Sequence, residues 1–210
     1  MTIGDSSCWD DFFKQKLMPA VFDLVITTWK QMPKPGPSDL EDVISDKLYM
    51  ALVKTKGRND HPFLIRREDM EFDMDREKAI GKKDIVFFPS LQEEGIYLCL
   101  EAKRLNAIIS GVTRSLAGEY VKEGMQRFVD GKYARSVRHG AMLAYVLDGA
   151  TNRAMKNIER NIRQHVAKLG MNKNSGLVAS TIRPDDPRIK ETHHRRAHER
   201  ATFRIHHLFV

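Results

Sequence analysis

The stretch that decides the fold is GKKDIVFFPSLQEEGIYLCLEAKRL, residues 81–105. It holds two short apolar runs, DIVFF at 84–88 and IYLCL at 96–100, both rich in β-branched and aromatic residues. Between them lies a polar segment that contains proline and glycine. This pattern predicts two neighbouring antiparallel strands that are joined by a hairpin loop.

The expected register of this hairpin brings two carboxylates together. Its loop is centred between Gln92 and Glu93, so symmetric pairing places Asp84 opposite Glu101, with Cβ atoms about 4.5–5.5 Å apart. Two carboxylates at that distance repel each other, and a divalent cation between them would remove the conflict. Lys103 follows Glu101 by two residues and therefore projects from the same face. This set predicts metal-assisted phosphodiester hydrolysis, in which the lysine orients the attacking water or stabilises the phosphate.

The elements on either side of the hairpin predict an α/β fold. Periodic apolar residues, capping residues and turn residues give the following order: helix 11–31 with a break at Pro19, helix 38–56, strand 62–72, the two hairpin strands, helix 116–130, strand 141–149, helix 151–169, an irregular polar segment 180–196 and a closing strand 202–210. Three strands that can pair antiparallel, a crossover helix and a further strand predict a mixed sheet flanked by helices. In helix 38–56, we expect Leu40, Val43, Ile44, Leu48, Ala51 and Leu52 to be buried.

The hairpin motif resembles the signature of the PD-(D/E)XK nuclease superfamily, whose fold is also called restriction-endonuclease-like. The matching residues are Asp84 in GKKDIVFF and Glu101-Ala102-Lys103 in YLCLEAKRL. Lys83 stands where other members have proline, a position that varies. The resemblance implies an αβββαβ core over 38–148. It also implies a Mg²⁺ ion, replaceable by Mn²⁺, with Asp84 and Glu101 as ligands.

The same resemblance divides the chain into parts of one nuclease-like domain over 1–210. Residues 1–37 form an N-terminal helical extension and linker, and the catalytic core spans 38–148. Residues 149–210 add a C-terminal helix, a loop and a closing strand.

Glu41 has two competing roles. Many members of the superfamily carry a third acid on the helix before the sheet, and Glu41 is the match, as a catalytic residue and metal ligand. However, Ser38-Asp39-Leu40-Glu41 also fits a capping box, in which Ser38 is the N-cap and Glu41 bonds back to its amide.

The helix after the Glu-x-Lys strand resembles one that leans over the active site in several branches of the superfamily. Gln126 or Tyr120 would then contact the attacking water or the phosphate. Alternatively, Tyr120 belongs to the core and Gln126 to a solvated face. Arg127 and Lys132 are expected to touch the phosphate backbone.

The charge of the chain is unevenly distributed. The net charge is +7, with a net of −4 over residues 1–75 and +11 over residues 76–210. A basic C-terminal region predicts a polyanionic partner, of which nucleic acid is the commonest. The basic helix in 153–173, with Arg160 and Arg163, is expected to contact phosphates. A solvated helix face would explain it nearly as well.

Histidines cluster near the C-terminus without a clear ligand pattern. His206 and His207 would point to opposite faces of one strand, so both cannot serve one metal site. The favoured interpretation places them, with His193, His194 and His198, in a partly exposed strand and a polar loop.

Taken together, these features predict a Mg²⁺-dependent nuclease that acts on DNA rather than RNA, and the resemblance suggests an effector subunit of an anti-phage system. Protein partners or a homo-oligomer would then supply specificity. The alternative is a silent or partner-activated nucleic-acid-binding module with the same fold, against which the intact acids and lysine argue. An enzyme acting on small nucleotides is disfavoured because no Gly-rich phosphate loop is present.

The chain is expected to be cytoplasmic. It has only two cysteines, no run of 18 apolar residues and no signal-peptide pattern at its N-terminus. These observations predict a reduced protein with no membrane segment.

Overall fold

The computed structural model describes residues 17–59, 61–73, 77–90, 96–197 and 201–210. Its strands are β1 (Phe63–Asp73), β2 (Lys78–Pro89), β3 (Leu98–Leu105), β4 (Ala107–Ile109), β5 (Val112–Arg114), β6 (His139–Val146), β7 (Val178–Ala179), β8 (Ile189–Arg195) and β9 (Thr202–Phe209). Its helices are α1 (Met18–Gln31), α2 (Glu41–Asn59), α3 and α4 (Thr151–His165). Helix α3 is continuous through Ala117–Glu119, the π-helical Tyr120–Met125 and Gln126–Val129.

Seven strands form one mixed sheet in the order β1-β2-β3-β6-β9-β8-β7. The β3–β6 and β6–β9 pairs are parallel, and the other pairs are antiparallel. Helices α1 and α2 bury Phe22 and Leu48 against one face of this sheet, and α3 and α4 bury Val121 and Ile158 against the other. The prediction of an α/β protein with a mixed sheet between helices is therefore confirmed. Strands β4 and β5 form a separate small hairpin.

The predicted register of the central hairpin is confirmed. Strand β2 pairs with β3 so that Ile85 lies opposite Leu100 and Phe87 opposite Leu98. One step further in this register, Asp84 would face Glu101. The loop residues that centre the hairpin lie outside the described residues.

Helix α1 is α-helical from Met18, with Leu17 in π-helical conformation before it, and the predicted break or kink at Pro19 stays a prediction. Proline occupies its first turn, where the missing N–H would have no partner in the helix anyway. The part of the predicted helix over 11–16 lies outside the described residues.

The prediction that Ser38 caps α2 is wrong. The amide of Asp39 donates to the carbonyl of Gly36, so Ser38 lies in a turn, and the helix starts at Glu41. The first bond of the helix joins the amide of Ile44 to the carbonyl of Leu40.

The buried stripe of α2 is narrower than predicted. Leu40 is 63% exposed and Val43 42%, so their expected burial is wrong. Ile44, Leu48 and Leu52 are fully buried, as predicted. Leu40 precedes the helix and Val43 lies in its first turn, before the helix reaches the sheet.

The ends of two helices also differ from prediction. Helix α2 continues past the predicted end at Gly57 to Asn59. Helix α4 ends at His165, and the chain then turns into Gly170, whose φ of +58° favours glycine. No helix among the described residues is both long enough and apolar enough to span a bilayer.

The irregular segment predicted over 180–196 contains strand β8, and the expected partial exposure of the histidines is wrong for three of them. His194, His206 and His207 are buried, whereas His193 is exposed and His198 lies outside the described residues. Strand β9 is an inner strand between β6 and β8. Polar side chains therefore occupy the interior, and hydrogen bonds make this feasible.

One hydrogen-bond chain satisfies two of these buried histidines, His194 and His207. It runs from Tyr120 Oη to His207 Nδ1 (2.8 Å), from His207 Nε2 to Thr192 Oγ1 (2.8 Å), from Thr192 Oγ1 to His194 Nε2 (2.7 Å) and from His194 Nδ1 to the carbonyl of Leu169 (2.7 Å). A carbonyl can only accept, so His194 Nδ1 carries a proton. Burial keeps both imidazoles neutral, so His194 Nε2 accepts from Thr192 Oγ1, Thr192 Oγ1 accepts from His207 Nε2, and His207 Nδ1 accepts from Tyr120 Oη.

Acid is expected to destabilise the fold through this chain. Burial lowers the pKa of His207 to about 3 and that of His194 to about 4. In the unfolded chain both titrate near 6.5, so only the unfolded state takes up their protons between about pH 4 and 6.5. The unfolding free energy is therefore fully retained above pH 6.5. Below it, each histidine removes about 1.4 kcal/mol per pH unit.

Urea unfolding at pH 7, 6 and 5 measures this loss. The variant His194→Gln keeps a donor and an acceptor but cannot titrate. We expect its stability to fall less steeply between pH 6 and 5, by about 1.4 kcal/mol per pH unit. Equal slopes for the two proteins would contradict the assignment.

Candidate active site

The predicted catalytic residues lie together in a cleft of about 520 Å³. It opens between the start of α2, strands β2 and β3, helix α3 and the loop that follows α3. The residues that line it are Glu41, Asp42, Ile80, Gly81, Lys82, Asp84, Glu101, Lys103, Arg127, Lys132 and Tyr133. Residues that are 62 positions apart, such as Glu41 and Lys103, meet here.

Asp84 is held at the end of the β2–β3 ladder by its neighbours. Its Oδ2 accepts a hydrogen bond of 2.8 Å from the amide of Ala102, and its carbonyl accepts one of 3.0 Å from Arg67. Burial raises the pKa of Asp84, and the charge of Glu41 adds to the rise. The carboxylate is therefore fixed in place, and Arg67, whose guanidinium lies 3.6 Å from Oδ1, offsets only part of the effect of burial.

Glu101 is the most deeply buried acid of the cleft, at 2% exposure. Burial raises the pKa of Glu101 to about 8, and the nearby charge of Asp84 contributes. The pair is thus the site of like charges that the hairpin register predicts, and a further cation beside it would favour ionisation of both groups.

Lys103 is an ammonium with all three hydrogens donated. Its Nζ lies 2.8 Å from Glu41 Oε1, 2.9 Å from Glu101 Oε1 and 2.8 Å from the carbonyl of Ala102. Burial alone would lower the pKa of Lys103, but the charges of Glu101 and Glu41 outweigh burial and raise it. Lys103 therefore stays charged at neutral pH.

The contacts of Glu41 exclude one of the two roles considered for it. Besides Lys103, it accepts a 3.0 Å hydrogen bond from the amide of Arg104 through Oε2. The capping box with Ser38 is therefore wrong, because both carboxylate oxygens are directed to β3. Glu41 belongs to the cleft.

Helix α3 covers the stem of Lys103. A Cβ on Gly124 would lie 2.3 Å from Cε of Met142 and 3.6 Å from Cγ of Lys103, so this glycine lets the π-helical segment approach the sheet closely. Tyr120 points into the core, where it bonds to His207, as in the core alternative. Gln126 is half-buried and does not line the cleft.

The predicted phosphate-binding residues divide between two places. Arg127 and Lys132 line the same cleft as Asp84 and Glu101. Arg127 donates to Tyr133 Oη at 2.8 Å and lies 3.7 Å from Glu101. Arg160 and Arg163 lie on α4 and line a separate cleft.

Sequence reasoning missed three residues at the site. Lys82 lines the cleft, and its position two residues before Asp84 on a strand would have placed it on the same side. Tyr133 lies at the cleft through the chain's return after α3, for which the sequence has no local signal. Arg67 connects Asp46 of α2 (2.9 Å) to Asp84, and it is also invisible in a local pattern.

The cleft offers the donor set that Mg²⁺ prefers. Asp84 and Glu101 supply hard carboxylate oxygen atoms to the cleft, and burial raises the pKa of both acids, so a cation beside them would favour their ionised forms. The chemistry of these residues therefore fits a divalent cation. Within the described ranges, no group of three or more His, Cys, Asp or Glu side chains forms a ready ligand cluster.

Comparisons of the chain with protein-family models, with curated proteins and with solved structures gave no match.

Gly81 is expected to be required for the close contact between strand β2 and the loop after α3, which together form one wall of the cleft. A Cβ at this position would lie 2.6 Å from the carbonyl of Lys132 and 2.7 Å from Cε1 of Tyr133. The variant Gly81→Ala should therefore lose about 1–3 kcal/mol of unfolding free energy, measured in urea. Gly57→Ala is the matched control, because nothing lies within 4 Å of that helical position. It should gain about 0.5–1 kcal/mol, and equal effects of the two changes would refute the close approach.

Proposed function

We propose that the protein is a Mg²⁺-dependent nuclease of the PD-(D/E)XK type, which hydrolyses phosphodiester bonds of DNA. The observation that carries this proposal is the convergence of Asp84, Glu101, Lys103 and Glu41 in one cleft. The order of α2, β1 to β3, α3 and β6 supports a restriction-endonuclease-like core, with β4–β5 as an insertion.

Asp84 and Glu101 would hold the cation, and Glu41 would assist. A bound Mg²⁺ supplies a Lewis acid that lowers the pKa of water and neutralises charge on the phosphate. The amide of Ala102 keeps Asp84 in position, and Arg67 fixes the backbone of the same residue. These contacts prepare the acids before substrate arrives.

Lys103 is the group that orients the attacking water or stabilises the charge on the phosphate. It is confined between two carboxylates and a carbonyl, so its ammonium is held to one place in the cleft. Glu41 acts as a positioning residue for this ammonium, besides any contact with the cation. Because Lys103 remains charged and has only three hydrogens, it would bind the water or the phosphate by exchanging one of these three hydrogen bonds, and it cannot act as an acceptor.

The rim of the cleft provides the contacts to nucleic acid. Lys82, Arg127 and Lys132 place three positive charges around the acids. These charges would hold backbone phosphates on either side of the bond to be cleaved, and they carry no sequence information. Gln126 remains a predicted contact outside the cleft lining. Specificity would then come from a partner subunit or a second copy, as in the anti-phage setting that the resemblance suggests.

The test is incubation of the purified protein with linear, circular and single-stranded DNA, and with RNA, in Mg²⁺ or EDTA. We expect cleavage of DNA in Mg²⁺ or Mn²⁺ and none in EDTA. Nicking of circular DNA would establish endonucleolytic cutting. Binding without cleavage of any substrate would contradict the proposal and would favour a nucleic-acid-binding module that lacks turnover.

A further inference from the structure

A second cleft, of about 490 Å³, lies between helix α4 and the far edge of the sheet. Its floor is apolar, formed by Met155 and Leu177, and its rim carries Lys156, Arg160 and Lys190. Strand β8, which carries Lys190, is three strands away from β3 and the catalytic lysine. The strand spacing puts this separation at about 14 Å.

The positive charges of this cleft are available to a ligand. Lys156, Arg160 and Lys190 form no ion pair with any described residue. The acid beside them, Glu159, is occupied: its Oε2 accepts the amide of Leu177 at 2.9 Å, and its Oε1 lies 3.5 Å from Arg163.

The cations on α4 also follow a regular line. Arg153, Lys156, Arg160 and Arg163 are spaced by three and four residues, which places them on one side of the helix. Arg153 pairs with Asp148 and Arg163 with Glu159, so Lys156 and Arg160 are the members of the row without an ion pair to a described residue. The line is about 15 Å long, because each residue adds about 1.5 Å. A row of charges repeated at each turn matches a polymer with regularly repeated negative charge, which favours a phosphodiester backbone over an irregular acidic peptide.

We infer that this cleft is a second nucleic-acid-binding site, which holds backbone phosphates away from the scissile bond. The inference rests on the proposed function, since it assumes that nucleic acid is the substrate. The site would increase the affinity for long substrates without entering the chemistry. It would recognise the shared phosphate backbone of duplex or single-stranded nucleic acid.

The test is binding of fluorescent 30-mers, duplex and single-stranded, measured by anisotropy in EDTA between 50 and 200 mM salt. We expect the triple variant Lys156→Ala/Arg160→Ala/Lys190→Ala to bind about tenfold more weakly at 100 mM salt. The slope of log affinity against log salt should be shallower by about 3 for the duplex and about 2 for the single strand. The form with the larger loss is the one that the site holds.

The matched control is Lys30→Ala/Lys54→Ala/Lys56→Ala. It removes the same charge from α1 and α2, which cover the opposite face of the sheet. Equal losses in the two triple variants would overturn the inference. It would also be overturned if poly-glutamate bound the wild type as tightly as the oligonucleotides and lost affinity in the same variant, because the cleft would then select an acidic polypeptide.

The experiment separates this inference from the proposed function. In EDTA no cleavage is required, so a wild type that never cuts DNA would refute the nuclease and leave the binding comparison intact. A wild type that cuts, with equal binding by both triple variants, would refute only the second site.

Discussion

Asp84→Asn is expected to abolish both Mn²⁺ binding and DNA cleavage while leaving the fold intact. The asparagine Oδ1 can still accept the hydrogen bond from the amide of Ala102, so the end of the β2–β3 ladder keeps its partner. The negative charge is lost, and with it one of the two acids that would hold the cation. We expect cleavage to fall by about 10³-fold or more.

The measurements are calorimetric titration with Mn²⁺, cleavage of plasmid DNA and urea unfolding of the same preparation. Asp84→Ala is the comparison, because it removes the acceptor as well and leaves the amide of Ala102 without it. It should lose about 1–3 kcal/mol of stability that the asparagine variant retains. An unchanged Mn²⁺ affinity in Asp84→Asn would show that Asp84 is no ligand.

The central hairpin could be predicted from sequence because its signals are local. Two apolar runs and one short loop define the pairing of Ile85 with Leu100. The same register, continued by one residue, brings Asp84 towards Glu101. The alternation of a strand then places Lys103 beside Glu101, and its ammonium donates to that carboxylate at 2.9 Å. Three of the four proposed catalytic residues, Asp84, Glu101 and Lys103, thus lie within about twenty residues of one another in the sequence.

The position of Glu41 could not be settled in the same way. A local motif offered Ser38 as its partner, whereas the structure gives it the ammonium of Lys103 and the amide of Arg104, more than 60 residues away. Whether Glu41 bonds to Ser38 or to strand β3 is decided by where α2 packs on the sheet. Arg67, which links α2 to Asp84, depends on the same packing.

Strand β8 was missed for a different reason. Its sequence, IKETHHR, has no apolar alternation, because the inward positions are filled by Glu191, Thr192 and His194. Their burial is tolerated only because each finds hydrogen-bond partners on other elements, such as Thr181 for Glu191. Such partners are assigned by the tertiary fold, so a pattern of hydrophobicity cannot indicate them.

Lys103→Ala is expected to separate the role of the ammonium from that of the metal ligands. The change removes a positive charge beside the cation site, so Mn²⁺ affinity should stay equal or rise slightly. Cleavage should nevertheless fall by about 10²–10⁴-fold, the usual scale for a lost acid–base or charge-stabilising group. Lys103→Arg should not restore it, because a planar guanidinium cannot fit between Glu41, Glu101 and the carbonyl of Ala102 as a compact ammonium does.

The matched control is Lys82→Ala. Lys82 lines the same cleft, but its ammonium pairs with Glu68 at 2.9 Å rather than with the acids of the site. Its loss should weaken substrate binding and leave the rate at saturating DNA nearly unchanged. In Lys103→Ala, the carboxylates of Glu41 and Glu101 lose the ammonium to which they are bonded. Urea unfolding in the presence and absence of Mn²⁺ therefore checks that this variant is folded. If the folded Lys103→Ala protein cut DNA at the rate of Lys82→Ala, Lys103 would only balance the charge of Glu41 and Glu101.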